Sequence, residues 1–165
     1  MVGALSYYTG PQGSIFHQQR EILMDRQATA IWKGALKDGT GTLDTQSGAL
    51  KGLPYNFKAR FEDESGTSGT NPEELLGAAH AGCFAMQLSH FLAENGTPAT
   101  SLDAKAVVTL DPAKGAITKS ALTLVGDVPG IDAATFSELA GKAKANCPVS
   151  KALGSIEVTL DAKLA

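Results

Sequence analysis

Apolar residues fall on every second position in several well-bounded runs of this chain. Leu102, Ala104, Ala106, Val108 and Leu110 form one run, and Ile156, Val158, Leu160, Ala162 and Leu164 another. Period two places such residues on one face of a half-buried strand. Ile117–Val125 is a further strand, set off from the 102–110 run by the turn Asp111-Pro112-Ala113-Lys114-Gly115. Upstream, Ala28–Trp32 and Thr40–Thr45 read as strands around the turn Lys37-Asp38-Gly39. Tyr55, Phe57, Ala59 and Phe61 alternate with Asn56, Lys58, Arg60 and Glu62 and predict a third strand.

The stretch from Asn71 to Gly96 breaks this pattern, being apolar or small almost all the way round. Asn71 suits an N-cap, Pro72 the first helical position and Glu74 the third, while Gly96 suits a left-handed C-terminal cap. A second helix is predicted over Ala133–Ala145, capped by Asp132, with Phe136, Leu139, Ala140 and Ala143 on its inner face. Asn146-Cys147-Pro148 ends it, and Cys147 can cap a further short turn.

The order is therefore βββ–α–ββ–α–β, an α+β arrangement rather than a doubly wound one. A helix as apolar as 72–94 needs cover on more than one side, which one small sheet does not supply, so a partner subunit is expected. Residues 1–23 are broken by Gly3, Gly10, Pro11 and Gly13, and are expected to lie outside a single domain spanning 24–165. Regular patterning begins just after Met24, a plausible second start.

Composition narrows the function classes. Of the 165 residues, 43% are hydrophobic and 19% charged, with a net charge of −3, values ordinary for a globular domain. No basic block interleaves with aromatic residues, which gives nucleic-acid binding no support. No apolar run approaches the roughly 18–20 residues needed to cross a bilayer. Two cysteines 64 positions apart and three scattered histidines match no zinc spacing. Met1–Ala30 lacks the combined features of a secretory signal, so a cytoplasmic protein with reduced thiols is expected.

Cys83 sits in the middle of the apolar helix. A thiol reacts as its thiolate, and burial alone raises its pKa, so a reactive Cys83 needs a nearby cation or donors. Its helical neighbours are Ala79, His80, Met86 and Gln87, of which only His80 ionises. Arg60 is the single arginine between Gln27 and the C-terminus and the best permanent cation. Without further information the bland readings stand beside these. Cys83 is then a small core residue, Cys147 a helix-end residue, Arg60 a solvated charge on a strand, and Glu73 a first-turn acid favoured by the helix dipole.

The wording TNPEELLGAAHAGCF, with NCPVSKAL downstream and FKARFE upstream, resembles the OsmC/Ohr family of thiol-dependent peroxidases, and its OsmC branch in particular. The resemblance runs from about Met24 to Ala165. It implies an OsmC-like fold, with antiparallel sheets around a buried central helix in an intertwined homodimer whose active sites lie at the interface. It implies reduction of organic hydroperoxides, and more weakly hydrogen peroxide, in oxidative and osmotic stress defence. Cys83 would be the peroxidatic and Cys147 the resolving cysteine, with Arg60 as the active-site arginine and Glu73 as its partner. No bound cofactor or metal is implied; an external dithiol or a lipoylated protein would serve as reductant. The alternative on the same fold is a non-catalytic redox sensor or ligand-binding protein, and a third reading is a structural dimer with a static Cys83–Cys147 disulfide.

Glu73 and Cys83 stand ten positions apart, roughly 15 Å along a straight helix. Glu73 or Arg60 is therefore expected to reach Cys83 from the other subunit. The one departure from the family pattern is the SGTSG segment, which lengthens the linker before Asn71.

Overall fold

The computed structural model describes residues 23–165, so the expectation for residues 1–22 lies outside the described residues. The chain forms β1 (Ala28–Lys33), β2 (Thr40–Thr45), β3 (Leu53–Asn56), α1 (Phe57–Phe61), α2 (Pro72–Glu94), β4 (Ser101–Asp111), β5 (Ala116–Asp127), α3 (Ala133–Asn146), α4 (Pro148–Ala152) and β6 (Glu157–Leu164).

One predicted element changes type. The expected third strand ends at Asn56, and the alternating residues after it form a helical turn. Asn56 is the reason: its Oδ1 accepts from Ala59 N at 2.9 Å, an N-cap that starts a helix where a strand would have run on. Phe57 and Phe61, apolar at the spacing of a strand, are also i and i+4, and their ring centroids lie 4.9 Å apart. Arg60 consequently projects from α1 and not from the polar face of a strand.

The strands form two sheets. β1–β2–β3 is an antiparallel meander, with Ala28 opposite Thr45 and Thr40 opposite Asn56. In the second sheet β4 pairs antiparallel with β5, and β6 joins β5 in parallel. The parallel pairing needs a long crossover, which α3 and α4 supply. The 62–70 linker is organised around Asp63, whose carboxylate accepts from Ser65 N, Ser65 Oγ and Ser68 N.

α2 is unbroken. Asn71 Oδ1 caps it by accepting from Glu74 N at 2.8 Å, and Gly96 leaves it at φ +79°. Glu74 is structural as expected, although its carboxylate accepts from Thr70 Oγ1 and does not bond back to Asn71 N. Phe84, Leu88, Phe91 and Leu92 of α2 pack with Leu122 and Leu124 of β5 and with Phe136, Ala140 and Ala143 of α3. A fully buried Leu or Phe contributes about 1.5–3 kcal/mol, so this contact between α2, α3 and the second sheet holds the body together.

Gly126 shows how closely it is packed. A Cβ there would lie 2.7 Å from Phe136 Cζ. Gly126→Ala is expected to destabilise the fold by about 1–3 kcal/mol, read as a lower urea midpoint with an unchanged m-value.

The expectation that α2 is buried on most faces does not hold within one chain. Ala78, Ala79, Gly82 and Met86 form an exposed apolar face, because the second sheet covers one side only. β1 is exposed along its whole length, with Ile31 uncovered.

Candidate active site

Two clusters carry the candidate chemistry, and they sit at different levels of α2. At its N-terminal end Arg60 forms a fork with Glu73: Nε donates to Oε2 at 3.2 Å and Nη2 to Oε1 at 2.7 Å. Two parallel charge-assisted bonds fix the plane of the guanidinium as well as its position. Arg60 remains about one-third exposed, while Glu73 is largely covered. The guanidinium also lies over the Phe61 ring, 4.9 Å from its centroid. Beside it is an apolar cavity of about 240 Å³, walled by Trp32, Leu36, Tyr55, Phe57 and Phe61. Trp32, Tyr55, Phe57 and Phe61 thus line the pocket, whereas Phe84 and Phe91 belong to the core.

The second cluster is the sulfur pair. Cys83 Sγ and Cys147 Sγ are 2.8 Å apart, both unlinked, although 64 residues separate them in sequence. Closing to a disulfide of about 2.05 Å takes a shift of less than about 1 Å. Cys83 is partly exposed, whereas Cys147 has no exposed surface and belongs to the hydrophobic core. Cys147 is placed by α3, which ends when Cys147 N donates to Ala143 O at 2.8 Å, and by Pro148, which starts α4.

The two thiols differ in acidity. Burial pushes the Cys83 thiol up, and sharing a proton with Cys147 adds to this, with the Val149 N–H acting in the other direction. Burial also opposes ionisation of Cys147, but hydrogen bonding from Cys83, from the N–H and hydroxyl of Ser150 and from the Val149 N–H outweighs it. Cys147 therefore lies below an ordinary thiol. Within one chain the accessible sulfur is the less acidic one. Arg60 is not beside it, since Glu73, which holds the guanidinium, is roughly 15 Å further along an unbroken helix. The structure thus brings Arg60 to Glu73 and Cys83 to Cys147, but does not bring one pair to the other.

His80 does not face Cys83 with a ring nitrogen. It is fully buried, with Nδ1 2.7 Å from Ser120 Oγ and Nε2 2.8 Å from Ser150 Oγ. Burial holds it below the usual imidazole value. In the unfolded chain His80 binds a proton near pH 6.5, so the fold is favoured above that pH and loses stability as the pH falls through it. Wild type is expected to lose thermal stability between pH 7.5 and 5.5, and His80→Gln to lose less, in melting curves at matched ionic strength. His90, by contrast, is exposed beside Glu94.

Sequence reasoning passed over Ser120 and Ser150. The available signal was a polar residue in an apolar register: Ser120 shares the core face of β5 with Leu122 and Leu124, as His80 shares that of α2 with Phe84 and Leu88.

Comparison with known proteins gives this arrangement its setting. The family model described as OsmC-like protein matches residues 63–161. Peroxiredoxin OsmC of Escherichia coli (strain K12) is 52% identical over 145 residues, covering 87% of this chain and 99% of that protein. The chain belongs to the OsmC family. Organic hydroperoxide resistance protein OhrB of Bacillus subtilis (strain 168) is 33% identical over 113 residues, covering 67% of this chain and 82% of OhrB. The crystal structure of Bacillus subtilis OhrB matches with a TM-score of 0.59 at 26% identity, covering 82% of this chain and 97% of that one. The family's fold of sheets and a long helix is the one expected from the sequence. Among the described residues no helix is long and apolar enough to cross a membrane.

Proposed function

We infer that this chain is a thiol-dependent peroxidase acting on organic hydroperoxides, with Cys83 as the peroxidatic and Cys147 as the resolving cysteine. One observation carries the reading: the sulfur of a partly exposed cysteine, Cys83, rests 2.8 Å from that of the fully buried Cys147. Oxidant can reach only the first, and its oxidised form is already in contact with the second. Kinship with a peroxiredoxin and with an organic hydroperoxide resistance protein supports the same chemistry.

The steps follow from the contacts. The Cys83 thiolate attacks the terminal peroxide oxygen, the O–O bond breaks, and the alkoxide leaves as the alcohol, giving a sulfenic acid on Cys83. Cys147 attacks that sulfur, forming the disulfide and releasing water. A dithiol then reopens the disulfide by exchange and restores both thiols. We assign this reductant role to an external dithiol or lipoylated protein, and the setting to a reducing cytoplasm, where a disulfide formed in turnover is reopened.

The assignment requires a cation for Cys83, whose burial disfavours the thiolate. We assign that role to the Arg60–Glu73 fork of a second subunit in a homodimer. The exposed apolar face of α2 and the uncovered β1 support it, since both are surfaces a soluble chain would cover. The fork ties Arg60 to Glu73 within one chain, so the partner would contribute both residues and the apolar cavity beside them. That wall suits an alkyl or aryl hydroperoxide better than hydrogen peroxide. Purified protein with dithiothreitol or dihydrolipoamide is expected to consume cumene hydroperoxide with a kcat/KM at least about tenfold above that for hydrogen peroxide, since burying even one or two methylenes gives such a ratio. Absence of turnover with either reductant would rule the reading out.

A further inference from the structure

One side chain folds the linker between α1 and α2. Asp63 Oδ1 accepts from Ser65 N at 3.0 Å and from Ser65 Oγ, while Oδ2 accepts from Ser68 N at 2.7 Å. Ser65 and Ser68 both belong to the SGTSG segment that lengthens the linker. The Ser65 hydroxyl and the Ser68 N–H together hold the Asp63 carboxyl well below the usual carboxylate range. The start of the linker is tied to α1, since Glu62 N and Asp63 N both donate to Lys58 O, at 2.9 and 3.0 Å. Its end lies back on the same helix: a Cβ on Gly69 would stand 3.2 Å from Cβ of Ala59, the buried residue of α1. Thr70 Oγ1 then donates to Glu74 Oε2 at 2.8 Å, which joins the linker to the first turn of α2.

An aspartate turn in a surface loop ordinarily serves the loop alone. This one lies between the two halves of the fork, with Arg60 before it and Glu73 after it, 13 positions apart. Joining the two side chains closes a loop, and a longer flexible linker makes that closure less favourable. Residues already ordered by their own contacts add little to it. The turn also has an effect through charge. Glu62, Asp63 and Glu64 follow Arg60 closely, and a free carboxylate there would compete with Glu73 for the guanidinium. Asp63 is committed to the Ser65 and Ser68 donors and does not compete.

We propose that Asp63 is a positioning residue for Arg60: by folding the SGTSG segment back on α1, it keeps the guanidinium in its fork with Glu73 at the edge of the apolar cavity. This deepens the peroxidase reading and rests on it, with Arg60 as the cation for Cys83. It holds in whichever subunit supplies the guanidinium. Asp63 does not line the cavity and has no bond to either sulfur, so it acts only through Arg60. It serves the attack on peroxide and not the joining of the two sulfurs.

The test uses variants of the full chain, with kcat/KM for cumene hydroperoxide and dithiothreitol as the first readout. Asp63 lies outside the hydrophobic core, so its variants are expected to fold, as circular dichroism would check. Asp63→Ala is expected to lower kcat/KM by about tenfold, the effect of losing one hydrogen bond to a charged group. Asp63→Asn keeps an oxygen for Ser65 but turns an NH2 toward the Ser68 N–H, so a smaller fall of about threefold is expected. On a Cys147→Ser background, thiolate absorbance at 240 nm is expected to show Cys83 titrating at higher pH when Asp63→Ala is added. On an Arg60→Ala background, Asp63→Ala is expected to change neither quantity further, because two residues acting through one group are not additive. In single-turnover reactions with one equivalent of cumene hydroperoxide, read by intact mass, the Cys83 sulfenic acid of Asp63→Ala should close to the disulfide at the wild-type rate. Wild-type kcat/KM in Asp63→Ala, or an equal loss on the Arg60→Ala background, would overturn the proposal while leaving the peroxidase reading intact. Wild type that consumes no hydroperoxide with a dithiol would overturn the reading itself, and the proposal with it.

Discussion

Cys83→Ser is expected to abolish dithiol-dependent hydroperoxide consumption, lowering the rate by at least roughly three orders of magnitude, as loss of a nucleophile does. A serine hydroxyl at this position is neither ionised nor nucleophilic enough to attack the peroxide oxygen. Cys147→Ser should behave differently, because it removes a sulfur that peroxide does not reach. Its Cys83 should still be oxidised once, and without the contact at 2.8 Å the sulfenic acid should persist and progress to sulfinic acid under excess peroxide. Mass spectrometry of both variants after peroxide treatment distinguishes these outcomes. Full activity in Cys83→Ser would end the peroxidase assignment. Reversible disulfide formation in wild type without sustained turnover would instead support the sensor reading.

Arg60→Ala should lower kcat/KM by roughly 10²–10³, the usual effect of removing a donor from developing negative charge. Arg60→Lys should recover little of it, since an ammonium cannot make the two parallel bonds to Glu73. The same variants should raise the pH at which Cys83 forms its thiolate, which absorbance at 240 nm measures. The stronger test is to mix two inactive proteins. A dimer of one Cys83→Ser chain and one Arg60→Ala chain has a complete site only if Arg60 serves the sulfur of the other subunit. Random exchange should then restore roughly a quarter of wild-type activity. No recovery after verified exchange would place Arg60 and Cys83 in the same chain's site, against a helix that keeps Glu73 about 15 Å from Cys83.

Local signals in the sequence located most elements, because caps and alternation are local physics. Asn71, Pro72 and Gly96 bound α2 where they were expected to, and Asp132 caps α3 by accepting from Ala134 N and Thr135 N. The one change of element type arose where two periods coincide. Phe57, Ala59 and Phe61 satisfy a strand's spacing while Phe57 and Phe61 satisfy a helix's, and the Asn56 cap decided between them. The contacts that make the site are long-range and had no such signature. Nothing near Cys83 announces Cys147, and only the family resemblance paired them. His80 meets Ser120 and Ser150 across 40 and 70 residues, a relation that alternation along β5 or α2 does not encode.

The β1–β3 meander carries a consequence for how the protein responds to its own concentration. It makes no extensive contact with α2, α3 or the second sheet of its own chain, and a small sheet without a body beneath it is marginal in water. Its amides should therefore exchange with solvent, and its loops yield to protease, long before those of the core, unless a second chain lies against it. Where a second chain does cover it, dilution below the dissociation constant would loosen the sheet that walls the cavity beside Arg60 while leaving the two sulfurs in place. The two sulfurs would stay in contact after the apolar wall beside Arg60 had been lost.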